Sequence, residues 1–570
     1  MATGIQARIF GGSSPSAVAF ALVLLLIALL SLAQLFYREF TVFRGDYTHV
    51  DEIFFAVCAT RGFAFSDPLV PGCHDNKGPL AYSIYQLVEW ASGRYNITGI
   101  KQASLVLVIS ALGAVAWVAR RVAGNGLAAL LAAALVAQVM ATSTDFLALK
   151  LELIGTLFLL FGIALLLRWQ ENRKFWLLFS AGFMFGLAVM TKQTFALGVF
   201  GAVAWLLISG RPVSGLWREK LKAGLIFTVA TALPLGFYGL AFWLRGEFSE
   251  FAGSVFLHAI SYGAGGLPAS LSERAWKLGW LVHQFGLVFP LTLLFIAALC
   301  WWGFASRPYP NGPPQQRSSM GLLFTQAIAM ALVPVLAKQY FAPHLLPAWL
   351  LMSIPAAVIA AVWLQGLKQA SISSSGTFPA CAGLGLGVAI VMAVNSWYLN
   401  GDVVKRRLGQ QHQLDQGSSI PGAAGSYGYV LGVRPEFYFF NGIIPASDVL
   451  YPAGLAGAGS SVRSSDEIEA LPVLARALAV TQKQAELRLM SQFRQTPPEY
   501  IFLVDRWARV PGSAALTDVL SLNRYITKHC TRVRAVKGQP YQQGLLYRCA
   551  RPEDGALTVA PEGLTPRPLY

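Results

Sequence analysis

Residues 44–90 read RGDYTHVDEIFFAVCATRGFAFSDPLVPGCHDNKGPLAYSIYQLVEW, and they lie between two long apolar runs. Asp51 and Glu52 sit side by side, Asp75 stands two places before Lys77, and Gly78-Pro79 precedes a further apolar segment. Ionisable groups lodged against a membrane are costly and usually mark a working site.

The flanking runs fix the class. The chain has 570 residues, 55% hydrophobic and 13% charged, with a mean hydropathy of +0.52. A soluble protein carries about 25% charged residues, so this is a polytopic α-helical membrane protein. Residues 17–36 carry no charge and are long enough to cross a hydrocarbon core of about 30 Å. No small-residue cleavage site follows them, which predicts an uncleaved first span. Ten further apolar segments follow, at 103–118, 122–142, 153–167, 175–190, 195–209, 223–244, 278–304, 320–337, 345–363 and 378–397, for eleven helices in all. The net charge of +16 is spread singly and in pairs at the ends of these runs. Nucleic-acid binding needs clustered cations and is excluded.

Lysine and arginine near span ends are retained on the cytoplasmic side. With the N-terminus inside, Arg120, Arg121, Arg173, Lys174, Lys220, Lys222, Arg317 and Lys368 all fall on that side. The 37–101 loop and everything beyond residue 397 then face outward. Cysteines agree with this sidedness, because disulfides form in oxidising compartments. Cys58 and Cys73 share the first outer loop, and Cys530 and Cys549 share the C-terminal region, so each pair can close a short loop. After residue 397 the apolar runs shorten and alternate with Gly and Pro, as in a soluble α/β module. YGYVLG and EYIFLVD read as buried strands, RPEFYFFNG and 472–494 as helices. The expected division is a membrane module at 1–397, an outward α/β domain at 398–550 and a flexible tail at 551–570.

Within the first loop, DEIFFAVCATRG is apolar enough to lie as a short helix on the membrane surface, with Asp51 and Glu52 in its first turn. Capping alone would account for carboxylates there. HDNKGPL puts Pro79 at a first helical position, behind a lysine, as an anion site requires. The other outer connectors repeat the theme: Asp145, Lys150 and Glu152 between the third and fourth spans, Met190-Thr191-Lys192-Gln193 between the fifth and sixth, and Lys338 to His344 between the ninth and tenth. Any one could be a solvated turn; together they gather cations and carboxylates on one face of the bundle.

Asp51-Glu52 followed by HDNKGPLAY resembles the "DE … D-x-K-P-P" pattern of the GT-C glycosyltransferases related to protein O-mannosyltransferases and the lipid A aminoarabinose transferase. AGFMFGLAVMTKQ resembles that family's "G-x-x-x-G-x-x-x-x-T-K" span, and FAPHLLPAWLLM its "H-Y-x-L-P-x-x-P" span. Two positions depart: Gly78 replaces the first proline, loosening the turn beside Lys77, and Leu345 replaces the tyrosine after the histidine. The resemblance implies a GT-C fold with about eleven spans. It also implies inverting transfer of a sugar from a polyprenyl-phosphate lipid to a cell-envelope glycan, lipid or protein, lipopolysaccharide included, at the periplasmic face of a bacterial inner membrane. Asp51 would be the general base, with Asp46 as runner-up, and Glu52 would orient the acceptor or support Asp51. Lys77, Lys192, Lys338 and His344 would hold the donor phosphate, Asp75 would position Lys77, and Glu152 would touch sugar hydroxyls. No cofactor is assigned; Asp46, Asp51 and Glu52 offer oxygen ligands that some relatives use for a divalent cation. A transporter or flippase of a lipid-linked sugar would gather its charges near the midplane, a glycan ligase would carry its rich loop late in the chain, and a membrane anchor would need one span.

Overall fold

The structure is a computed structural model that describes residues 29–37, 50–64, 77–141, 146–208, 217–257, 314–336, 342–370, 420, 422–431, 436–447, 486–504, 520–536 and 544–550. The expected spans at 278–304 and 378–397, most of the first span, and the 551–570 tail lie outside them.

After a helical stretch at 29–37, two loop helices are described ahead of the bundle, α1 (Val50–Ala64) and α2 (Pro79–Ser92). The bundle is formed by α3 (Ile97–Ala123), α4 (Gly126–Ala141), α5 (Leu151–Asn172), α6 (Phe175–Thr191), α7 (Ala196–Ile208) and α8 (Trp217–Leu244), then α9 (Phe248–Ala252), α10 (Pro314–Ala331), α11 (Val333–Leu336) and α12 (Ala342–Ala370). Among the described residues, α3, α5, α8 and most of α12 are long and apolar enough to cross a membrane, and α4, α6, α7 and most of α10 are shorter apolar helices. Each corresponds to a run read from the sequence. Asn96 starts α3 by accepting the Gly99 N–H at 3.1 Å, which satisfies a helix-start donor.

The bundle is held by close backbone approach, since lipid supplies no hydrophobic drive between helices. Gly182 and Gly186, one turn apart on α6, face α8 so closely that a Cβ would stand 2.4 Å from the Phe227 carbonyl oxygen and 2.3 Å from that of Thr231. The Thr231 hydroxyl donates across the seam to the Gly182 carbonyl at 3.1 Å. At one end of the spans Arg121 Nε donates to Glu171 at 3.0 Å, and the Arg173 guanidinium lies 4.7 Å from the centre of the Trp169 ring. The opposite end carries Lys77, Lys150, Lys192 and His344.

The C-terminal unit is a five-stranded sheet of β1 (Tyr427–Leu431), β2 (Ile444–Pro445), β3 (Tyr500–Val504), β4 (Cys530–Val536) and β5 (Gly544–Cys549), with α13 (Glu436–Asn441) and α14 (Leu520–His529). The order is β2-β1-β3-β5-β4; β1 runs parallel to β2 and β3, and β5 antiparallel to β3 and β4. Strands alternate their side chains between faces. Tyr429, Leu431, Ile501 and Leu503 therefore form one core with Phe493 and Ile526, while Val430, Phe502 and Leu546 point the other way. Cys530 and Cys549 form the expected disulfide between β4 and β5. Cys58 is also disulfide-bonded; Cys73, its expected partner, lies outside the described residues.

The second face of the sheet meets the first loop. Ile53, Phe55, Ala56, Val57, Tyr82 and Tyr85 share one core with Val430, Phe437, Tyr438, Phe439, Ile443 and Phe502. The Tyr95 hydroxyl donates to the Ile443 carbonyl at 2.7 Å, and Arg488 pairs with Glu247 at 3.2 Å. This corrects the expectation that α1 lies on the membrane surface: Ala56 through Ala59 are fully buried, because the apolar residues around α1 are covered by α2 and the sheet.

Glu89 lies at this junction. Its Oε1 accepts from Thr60 at 2.6 Å, and its buried Oε2 has no hydrogen-bond partner among the described residues. Burial pushes its pKa from 4.5 up to about 7, against the opposing pull of Thr60, the Tyr95 N–H and Arg94. The folded state thus holds a proton that the unfolded chain releases at lower pH, so stability falls as pH rises from about 4.5 to 7. Glu89→Gln should remove that slope, with melting temperatures converging near pH 4.5 and the variant higher at pH 8; equal slopes would show that Glu89 does not hold the proton.

Candidate functional site

The site is built around a short bent connector, residues 147–150, that makes hydrogen bonds to α1, α2 and α3. Buried backbone polar groups need partners, and side chains from all three helices supply them. Ser104 Oγ of α3 donates to the Leu147 carbonyl at 2.6 Å. Leu149 N–H donates to Glu52 Oε1 of α1 at 2.7 Å. The Tyr85 hydroxyl of α2 donates to the Leu149 carbonyl. Burial, with Glu52 and Asp51 adding negative charge, raises the Tyr85 pKa well above its ordinary value, so the phenol stays a donor.

Glu52 is fully buried, and its other oxygen takes Lys101 Nζ at 2.7 Å. A buried charge is tolerable when paired and hydrogen-bonded; here both oxygens are engaged and the pair is neutral. Asp51, one residue earlier, points away from it, with its side chain 53% exposed and 3.4 Å from the buried Lys150 Nζ. The two adjacent acids of the sequence therefore separate into a frame member and an exposed carboxylate.

Lys150 occupies the N-cap position of α5 without a side-chain capping bond, and Glu152 follows in the first turn, where a carboxylate suits the helix dipole. Lys192, at the end of α6, reaches Glu152 in direct contact, and His344 Nε2 of α12 stands 3.8 Å from the same carboxylate oxygen. Burial draws the Lys192 pKa below the ordinary lysine range, and the like charges of Lys77 and Lys150 add to the fall against the pull of Glu152. Three lysines here face two carboxylates, Asp51 and Glu152. An anion would relieve that crowding.

Lys77 reaches this point through Gly78. Its backbone is extended (φ −67°, ψ 144°) with Pro79 opening α2. A Cβ on Gly78 would stand 1.9 Å from the Met190 carbonyl oxygen. The expectation that this glycine loosens the turn is corrected: it brings the start of α2 into contact with the end of α6, two residues before Lys192.

The structure thus brings together Asp51, Glu52, Lys77, Glu152, Lys192 and His344. Asp46, Asp75 and Lys338 lie outside the described residues. Lys101, Ser104 and Tyr85 also hold the site, and a lone polar residue in a helix gives no sign of its partner in the sequence. Lys150 stands 3.4 Å from Asp51, and Glu52 accepts from Lys101 and the Leu149 N–H. Among the described residues no group of three or more His, Cys, Asp or Glu could hold a metal.

Residues 76–237 match the family model of dolichyl-phosphate-mannose-protein mannosyltransferases, well under half of the chain but taking in Lys77, Lys150, Glu152 and Lys192. No curated protein sequence matches. Among solved structures, apo ArnT from Cupriavidus metallidurans aligns with a TM-score of 0.52 at 15% identity, over 93% of this chain and 97% of that one. The undecaprenyl-phosphate-bound form of ArnT aligns at 0.49 and 14% identity over 93% and 97%. The apo oligosaccharyltransferase of Archaeoglobus fulgidus aligns at 0.47 and 11% over 94% and 75%. The chain has the GT-C fold, that of the membrane glycosyltransferases.

Gly78→Ala should destabilise the protein by about 1–3 kcal/mol, the usual cost of overpacking, because the obstruction is backbone. Gly113→Ala, with open space around it, should be neutral or slightly stabilising. Denaturant or thermal melts of the two variants in the same detergent check the contrast; equal behaviour would mean that α2 does not seat on Met190.

Proposed function

We propose that the protein is an inverting glycosyltransferase that takes a sugar from a polyprenyl-phosphate donor and delivers it to a cell-envelope glycan, lipid or protein at the periplasmic face of a bacterial inner membrane. The observation that carries this is the convergence of Lys77, Lys150, Lys192 and His344 with one exposed carboxylate, Asp51, at a single end of the spans. The match of residues 76–237 to a family named for a polyprenyl-phosphate sugar donor supports the donor class.

In this reading the Asp51 carboxylate takes the proton of the acceptor hydroxyl. The acceptor oxygen then bonds the anomeric carbon from the face opposite the phosphate. The carbon–phosphate-oxygen bond breaks, and its electron pair leaves with the polyprenyl phosphate. Proton removal by a positioned base and cations on the departing charge are the two aids such a step needs. Lys77 and Lys192 hold the phosphate, with His344 beside them; Asp75 and Lys338 join them on sequence grounds. Asp46 is the reserve base. Glu152 holds Lys192 at the edge of the sugar pocket, and Glu52 supports Asp51 through the 147–150 run. The prenyl tail enters sideways between spans, and the C-terminal domain covers the loop helices from outside.

Purified protein should transfer sugar from an undecaprenyl-phosphate monosaccharide to an envelope glycolipid extract. Asp51→Asn should lower the rate by at least about 10²-fold, in the range of lost acid–base catalysis, while retaining undecaprenyl phosphate binding. Lys77→Ala should weaken that binding by about tenfold, one charge-assisted contact. Full activity in Asp51→Asn would move the base elsewhere, and movement of lipid across a vesicle bilayer without transfer would make the protein a flippase.

A further inference from the structure

We propose that Lys150 is a positioning residue of the reaction, whose buried ammonium orients the Asp51 carboxylate and supplies the positive charge that is released to the leaving phosphate when Asp51 takes the acceptor proton. The inference rests on the function proposed above and assigns a role that the motif residues leave open.

Three observations support it. The side chain of Lys150 is only 5% exposed yet ends 3.4 Å from an oxygen of Asp51, a carboxylate open to solvent. Burying an ammonium is expensive unless it is paired, so Lys150 stands where its neighbours require it. Its backbone is equally constrained: its carbonyl accepts from Leu153 and Ile154 N–H, each at 3.1 Å. The preceding residue is fixed at both its N–H and its carbonyl, by Glu52 at 2.7 Å and by Tyr85. Glu152, two residues further on, is already in contact with Lys192 and has His344 at 3.8 Å. Lys150 therefore sits beside the exposed acid and two residues from Glu152, which contacts Lys192, on a backbone segment that α1, α2 and α3 all contact.

Charge balance gives this placement a consequence. Three lysines and two carboxylates leave one positive charge, and a sugar phosphodiester carries one negative charge. In the transfer the acceptor proton neutralises Asp51, and the phosphate leaves as a monoester with a second negative charge. The sum is unchanged, since the proton that neutralises Asp51 offsets the new charge on the phosphate, and the charge of Lys150, no longer countered by Asp51, is left to face that second charge. A Lys192-type contact acts on bound donor and departing phosphate alike; Lys150 acts chiefly in the step itself, and so belongs in the rate rather than in donor affinity.

The test uses the full-length protein purified in detergent, undecaprenyl-phosphate mannose, glucose and 4-amino-arabinose as donors, an envelope glycolipid extract as acceptor, and undecaprenyl phosphate as binding probe. Lys150→Gln should lower kcat by about 10²-fold, the scale of a misplaced or uncompensated catalytic group, with the donor KM changed less than about threefold because uniform binding is kept. Lys150→Arg, which keeps the charge, should recover at least a tenth of the wild-type kcat. A wild-type kcat in Lys150→Gln, a loss confined to KM, or a Lys150→Arg variant no better than Gln would each overturn the proposal. Melting temperatures separate a folding defect, which Lys150→Arg would share. If the wild type neither transfers sugar nor binds undecaprenyl phosphate, the proposed function itself fails, and this role with it.

Discussion

Glu52 is the constraint on which the rest of the site depends. A carboxylate with no solvent exposure must find donors for both oxygens, and it finds Lys101 on one helix and the Leu149 N–H on the connector before another. Removing one member of such a pair leaves an uncompensated buried charge and costs about 3–5 kcal/mol. The bonds therefore lock α1, α3 and the start of α5 together. Neighbouring residues in the first turn of a helix point about 100° apart, so seating Glu52 inward leaves Asp51 outward. The direction of the exposed acid is inherited from its buried neighbour.

A second constraint comes from the far side of the bundle. Gly182 and Gly186 let α8 close on α6, and Gly78 lets α2 close on the last turn of α6. Both are contacts with backbone, which cannot rotate out of the way, so the position of Lys192 is set by two seams rather than by its own side chain. The result is a polar cluster drawn from four separate connectors but held by packed helices, the kind of support that a site needs to keep its geometry.

Much of this was legible in the chain. Apolar runs of span length, Pro79 at a helix start, acids in the first turn of α1, the β1 and β3 strands, and the Cys530–Cys549 pairing all rest on local pattern. The gathering of Asp51, Lys77, Glu152, Lys192 and His344 was legible as common sidedness. What local pattern does not carry is partnership at long range. Asp51-Glu52 gives no sign that one acid is spent on Lys101, forty-nine residues on. Lys150 reads as a solvated turn until its burial is known. Gly78 reads as slack because the obstructing carbonyl belongs to Met190, and α1 reads as a membrane-surface helix because the sheet that covers it lies in the last third of the chain.

That last contact has a consequence for how the protein comes into being. The core beneath α1 and α2 is finished by side chains from residues 423–546, which are synthesised after every helix of the bundle. The first loop is made early but stays without this cover until the bundle helices and the C-terminal unit have been synthesised. Maturation is thus ordered by synthesis, and a chain truncated before its final strand would carry every motif of the site and still lack a finished one.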